Sequence, residues 1–173
     1  PIAGEATLCQ DLRDIVHRHI KEHPIFLYHM MELDFKHKVP LSLIGRFTTS
    51  REKEHKGTLS VKEAGSIFIV DCVRMFLLEQ QIDATTTSER IDELVKLKIF
   101  TPETAEHIKA AFEAFTFLRL RNEIAMIDQG KFPSHFLNPY DLSKNEQDLL
   151  KEAFRVAGKL QDSTKRHFSR QIS

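Results

Sequence analysis

From Ser66 to Leu78 the chain reads Ser-Ile-Phe-Ile-Val-Asp-Cys-Val-Arg-Met-Phe-Leu-Leu, apolar on nearly every side of a helix. A helix of that kind has no polar face to show to water, so other elements must surround it. Two ionisable residues interrupt the run. At 3.6 residues per turn Arg74 falls on the stripe of Ile67 and Val70, with Asp71 one turn away, so the guanidinium points inward and needs a neutralising partner. Two arrangements supply one: an internal Arg74–Asp71 pair that only fixes packing, or a place in the lining of an anion-binding pocket. A polar stretch bracketed by Gly57 and Gly65 leads into this helix.

The rest of the chain supplies the surrounding elements. Leu8, Leu12, Ile15, Val16 and Ile20 recur at helical spacing from Glu5 to about Lys21 and predict an amphipathic helix. His23-Pro24 breaks it, and a second helix follows from Pro24 to about Asp34. Leu41 to Thr48 and Thr58 to Lys62, separated by polar residues, read as a small β-hairpin or two extended arms, the one place where a strand is expected. The core helix then runs from Ser66 to about Gln80. Thr86 with Glu89 is a capping box for a helix to Leu97, and Thr101-Pro102 opens the longest helix, which Gly130 stops after Gln129. Ile108, Phe112, Phe115 and Met126 lie near one stripe of it, and Arg119, four residues after Phe115, falls there too: a second inward arginine. A loop with Pro133, Asn138 and Pro139 follows. Ser143 and Glu146 then cap a last helix to about Phe168, with Leu149, Leu150, Ala153, Phe154, Ala157 and Leu160 as its core face. The expected fold is all-α: a four-helix bundle with a small β-hairpin or extended arm before the second long helix. The 102–129 and 143–168 helices are expected to run antiparallel.

Length and charge exclude several classes of function. At 173 residues, 41% apolar, one compact domain over 1–173 is sufficient. Lys plus Arg equals Asp plus Glu, 25 of each, so no bulk field draws nucleic acid or an anionic membrane, and any basic site is local. No apolar run reaches the ~20 residues needed to span a bilayer, and no signal-peptide pattern appears. Cys9 and Cys72 lack metal or redox spacing and read as reduced thiols, so the chain is expected to be cytoplasmic. Starting at Pro1, it reads as a piece of a longer protein.

No P-loop, dinucleotide turn or zinc spacing is present. A nucleotidyltransferase active site holds magnesium between two carboxylates one residue apart on a strand. The chain has no Asp-x-Asp, and Glu32-Leu33-Asp34 sits at a helix end. No catalysis, no metal and no cofactor are therefore expected of this domain alone. His17 and His19, two apart, lie on different faces of their helix and predict no metal site. Arg13-Asp14-Ile15-Val16-His17-Arg18-His19 resembles the arginine-to-histidine motif of HEPN-type helical ribonucleases, a short match that a neutral chain supports poorly.

Taken together, other segments are more specific: Pro1-Ile2-Ala3-Gly4, Pro24 with Phe26-Leu27, Pro40-Leu41 before Ile44-Gly45-Arg46-Phe47, Gly57-Thr58-Leu59, Lys62 to Gly65, and Ile67, Val70-Asp71 and Arg74. Further on come Thr87 with Glu89-Arg90, Ala111-Phe112, Leu118-Arg119-Leu120-Arg121, Gly130, Asn138-Pro139, Leu142-Ser143, Leu150-Lys151-Glu152-Ala153, Leu160-Gln161, and Arg166 with Phe168. In this order the chain resembles, end to end, the putative nucleotidyltransferase substrate-binding domain family, bacterial helical domains found behind a predicted nucleotidyltransferase domain. It departs at Ser60, where the family usually has an acid, at Ser66, usually proline, and at Glu123, commonly glutamine. The resemblance implies a substrate-binding or accessory domain whose partner is its own N-terminal nucleotidyltransferase domain, with magnesium and a nucleotide held there. As a binding module it would handle an anionic substrate group of unknown identity with Arg46, Lys62, Arg74 and Arg119, since arginine binds phosphate or carboxylate bidentately and lysine acts as a point charge. As a regulatory interaction domain it would instead pack on that catalytic domain.

Overall fold

The computed structural model describes residues 5–36, 38–42 and 44–170; the Pro1–Gly4 part of the resemblance lies outside them. Six α-helices follow in order: α1 Ala6–Glu22, α2 Ile25–Asp34, α3 Ile67–Glu79, α4 Thr87–Lys96, α5 Pro102–Asp128 and α6 Lys144–Ser169. The protein is all-α, with one small sheet among the described residues.

Local chemistry sets the helix ends. Thr86 and Glu89 exchange side-chain and backbone hydrogen bonds at α4, and Ser143 and Glu146 do the same at α6. At α5, Thr101 accepts from the Thr104 N–H and Pro102 takes the first helical position. Gly130, at φ +71°, ends α5: its N–H donates to Ile127 O at 2.8 Å and that of Lys131 to Met126 O at 2.9 Å. This is the bond pattern of a glycine-terminated helix.

Helix α3 is the hub, with Phe68, Ile69, Cys72, Val73, Met75, Phe76 and Leu77 buried among α1, α2, α4 and α6. Helices α5 and α6 pair along their length. The Phe115 and Phe154 ring centroids are 5.0 Å apart, and Arg121 of late α5 pairs with Glu146 of early α6. The pair is therefore antiparallel, as the connecting loop allows.

Two expectations need correction. The segment at 58–62 does form a strand, β1 Leu59–Ser60, but its antiparallel partner is β2 Phe136–Leu137, in the stretch read as loop. The 41–48 arm instead folds on itself through a Leu41–Phe47 bridge around Gly45, at φ +72°; beyond it Ser50 reaches across, its N–H donating to Thr58 O at 2.7 Å. On α6, Leu149 lies outside the core at 43% exposure, while Thr164 and Phe168 extend the buried face. On α1 the apolar stripe exists, but Leu8 and Leu12 are 65% and 61% exposed and only Ile20 is buried. A second uncovered stripe, Phe117, Leu120, Ile124 and Ile127, runs along late α5. No helix among the described residues is long and apolar enough to cross a membrane.

The two cysteines sit in unlike environments. Burial pushes the Cys72 thiol up to about 12, whereas Cys9 is half-buried on α1. It is the thiolate, not the thiol, that attacks a disulfide reagent. At mildly alkaline pH it should therefore titrate Cys9 alone in the native protein and both thiols after denaturation; rapid reaction of both in the native state would show that Cys72 is not enclosed.

Candidate anion-binding cavity

Between β1 and α3 the chain makes a single π-type turn, Lys62–Ser66. Ser60 Oγ accepts from the Glu63 N–H at 3.0 Å at its start, and the Ser66 N–H donates to Val61 O at 3.2 Å at its end. The turn lies against α5 because Gly65 has no side chain: a Cβ there would stand 2.8 Å from two carbons of the Phe115 ring. The register of β1 and the fit of Gly65 on Phe115 thus bring Lys62 and Ser66 of the turn to Ile67, Val70, Asp71 and Arg74 of α3 and to Phe112, Thr116 and Arg119 of α5. Together these residues line an open cavity of about 490 Å³.

Three of the four cations named from sequence meet here. Arg74 Nη1 donates to Asp71 Oδ1 at 3.0 Å, yet its side chain remains 44% exposed. Arg119 Nε is buried without a hydrogen-bond partner among the described residues; the nearest carboxylate oxygen, Glu123 Oε1, is 3.7 Å away. Lys62 is exposed and forms no ion pair among the described residues. Arg46 does not line this cavity. It sits on the turn of the 41–48 arm, where its N–H donates to Ser42 Oγ at 3.0 Å, and neighbouring Gly45 faces Arg155 of α6.

The electrostatics behind Arg74 were not legible in the spacing. Asp34, at the end of α2, has a buried Oδ2 without a partner among the described residues. Burial and then the charge of Asp71 raise its carboxyl above the ordinary 3.8, against the pull of Arg74. Burial raises Asp71 as well, again opposed by Arg74. A carboxyl raised on folding binds protons as the chain folds, so stability falls as pH climbs from the ordinary value through the raised one, and no penalty exists below both. Asp34→Asn should therefore raise Tm at neutral pH, and the gain should vanish once the pH is below 3.8. A gain that persists in acid, or a loss at neutrality, would refute this account.

The histidines divide in two ways. Arg13 Nε and His17 Nε2, from the ribonuclease-like motif, both lie 3.8 Å from Asp83, while His19 turns away to Glu22 at 3.6 Å. His19, Glu22 and His23, spaced so that one turn of helix brings them together, have ligand atoms within 4.8 Å of one another; all three are exposed.

An all-α domain packed around α3, with three cations lining one open cavity, is the class that this fold and geometry define. The chain belongs to the putative nucleotidyltransferase substrate-binding domain family, whose sequence model matches residues 24–168. No curated protein and no solved structure matches it.

Proposed function

We propose that this chain binds an anionic group of the substrate of a nucleotidyltransferase domain, through Lys62, Arg74 and Arg119. The observation that carries the reading is the meeting of these three cations, from three separate elements, in one open cavity where Arg119 Nε has no hydrogen-bond partner among the described residues. Charge-assisted bonds to a phosphate or carboxylate would fill those donors. Nucleotide and magnesium would reside in the catalytic domain, with Arg46 outside the binding set.

Inorganic phosphate is the simplest probe. It should raise the wild-type Tm, and Arg119→Ala should erase the response while lowering the unliganded stability by no more than about 1 kcal/mol, the worth of a partly exposed pair. An intact phosphate response in Arg119→Ala, with the unliganded protein weakened by the ~3–5 kcal/mol of a broken buried pair, would make the residue structural. A second reading, a regulatory domain packed on the catalytic one, is favoured by the uncovered Leu8, Leu12, Ile15 and Val16 stripe of α1. No residue of that stripe lines this first cavity.

A further inference from the structure

Helix α3 carries its face past the first cavity. Ile67, Val70, Asp71 and Arg74 line that cavity; Arg74, Leu77 and Leu78 line a second, of about 370 Å³, completed by Leu12, Arg13, Val16 and His17 of α1, the Ile82–Thr85 segment and Arg90 of α4. Arg74 is the wall common to both. At 1.5 Å per residue the shared face from Ile67 to Leu78 is about 16 Å long.

Three guanidinium groups border the second cavity, with Asp83 as the carboxylate among its lining residues. Asp83 stands 3.8 Å from both Arg13 and His17. Arg90 forms no ion pair among the described residues; its Nε donates to Ala84 O at 2.9 Å, which orients the group and leaves the other nitrogens of its fork without a carboxylate. Burial and the neighbouring charge of Arg74 push this guanidinium down from its ordinary range. Holding two half-buried guanidinium groups at one cavity costs free energy, and an anion between them offsets that cost.

We infer that the second cavity is an anion subsite built from Arg90 and Arg13 and joined to the first through Arg74, so that the natural ligand carries two anionic groups, as a diphosphate or bisphosphate does. This deepens the reading above and rests on it for the first anionic group. It also gives the Arg13 side of the ribonuclease-like motif a different role: a cation at the rim of a small-molecule site.

Titration calorimetry with inorganic phosphate and inorganic pyrophosphate, at constant ionic strength, tests it. Wild type should bind pyrophosphate more tightly than phosphate. Arg90→Gln should cost pyrophosphate about tenfold in affinity, the effect of one lost interaction of about 1.4 kcal/mol, and cost phosphate, which the first cavity still holds, clearly less. Asp83→Asn removes a carboxylate from the cavity and should tighten pyrophosphate, an opposite change that damage to the fold does not produce. Pyrophosphate binding indifferent to both substitutions, but lost with phosphate binding in Arg119→Ala, would overturn the second subsite and leave the first standing. Failure of either anion to bind the wild-type protein would overturn both.

Discussion

Gly65→Ala is expected to destabilise the protein by about 1–3 kcal/mol, the cost of forcing a methyl into a filled interior, and to remove the phosphate response as well. The added Cβ would stand 2.8 Å from Phe115 Cδ1 and Cε1, and the ring cannot retreat because it is fully buried against Phe154. The turn must lift instead, and the turn carries Lys62 and Ser66 to the cavity. For a chain of this size each kcal/mol shifts Tm by about 2–4 °C, so thermal unfolding reads the effect directly. Phe115→Leu also destabilises, by opening space, but in the Gly65→Ala background it should recover part of the loss, since residues in contact do not behave additively. Strictly additive losses, or an unchanged Tm in Gly65→Ala, would show that this contact does not hold the turn.

The largest loss of stability should come from Phe168→Ala, about 3–5 kcal/mol for truncating a fully buried phenylalanine. Phe168 is inaccessible to solvent at the end of α6, and its ring centroid lies 5.4 Å from that of Phe76, which in turn meets Phe100 at 5.5 Å. The aromatic group ties α6 to α3 and to the α4–α5 corner, yet none of its members lines the cation-walled cavity. The phosphate response should therefore persist below the lowered Tm, the reverse of the Arg119→Ala result, in which stability persists and the response is lost. A Phe168→Ala protein as stable as wild type would mean that the last turn of α6 contributes little to the core.

How much was legible from sequence differs from residue to residue. Helical spacing alone reads Arg74 and Arg119 as inward; Arg119 has its Nε buried, whereas the Arg74 side chain is 44% exposed. Asp71 was readable as the partner of Arg74, and the two bond at 3.0 Å. Glu123, four residues after Arg119, stops at 3.7 Å, and Nε has no hydrogen-bond partner among the described residues. Lys62 reached the candidate set through the family resemblance, and Arg46, which came with it, lies on another part of the surface. Arg90 was quoted only as a matching residue, because nothing in its own helix reveals that α4 sets it beside Arg74.

By itself the sequence determined the six helices to within a few residues, the side-chain caps of α4, α5 and α6, and the antiparallel return of α6 on α5. These depend on hydrogen bonds between residues three or four apart, on proline and glycine at chain ends, and on the length of one loop, all encoded locally. Only the tertiary structure decided that β1 pairs with Phe136–Leu137, that the stripe of α1 stays uncovered, that Gly65 seats on Phe115, and that Arg74 stands between two cavities with Arg90 and Arg13 beyond it. Each of those is a contact between elements far apart in the chain, set by how whole helices pack around α3, and no spacing within one element carries that distance.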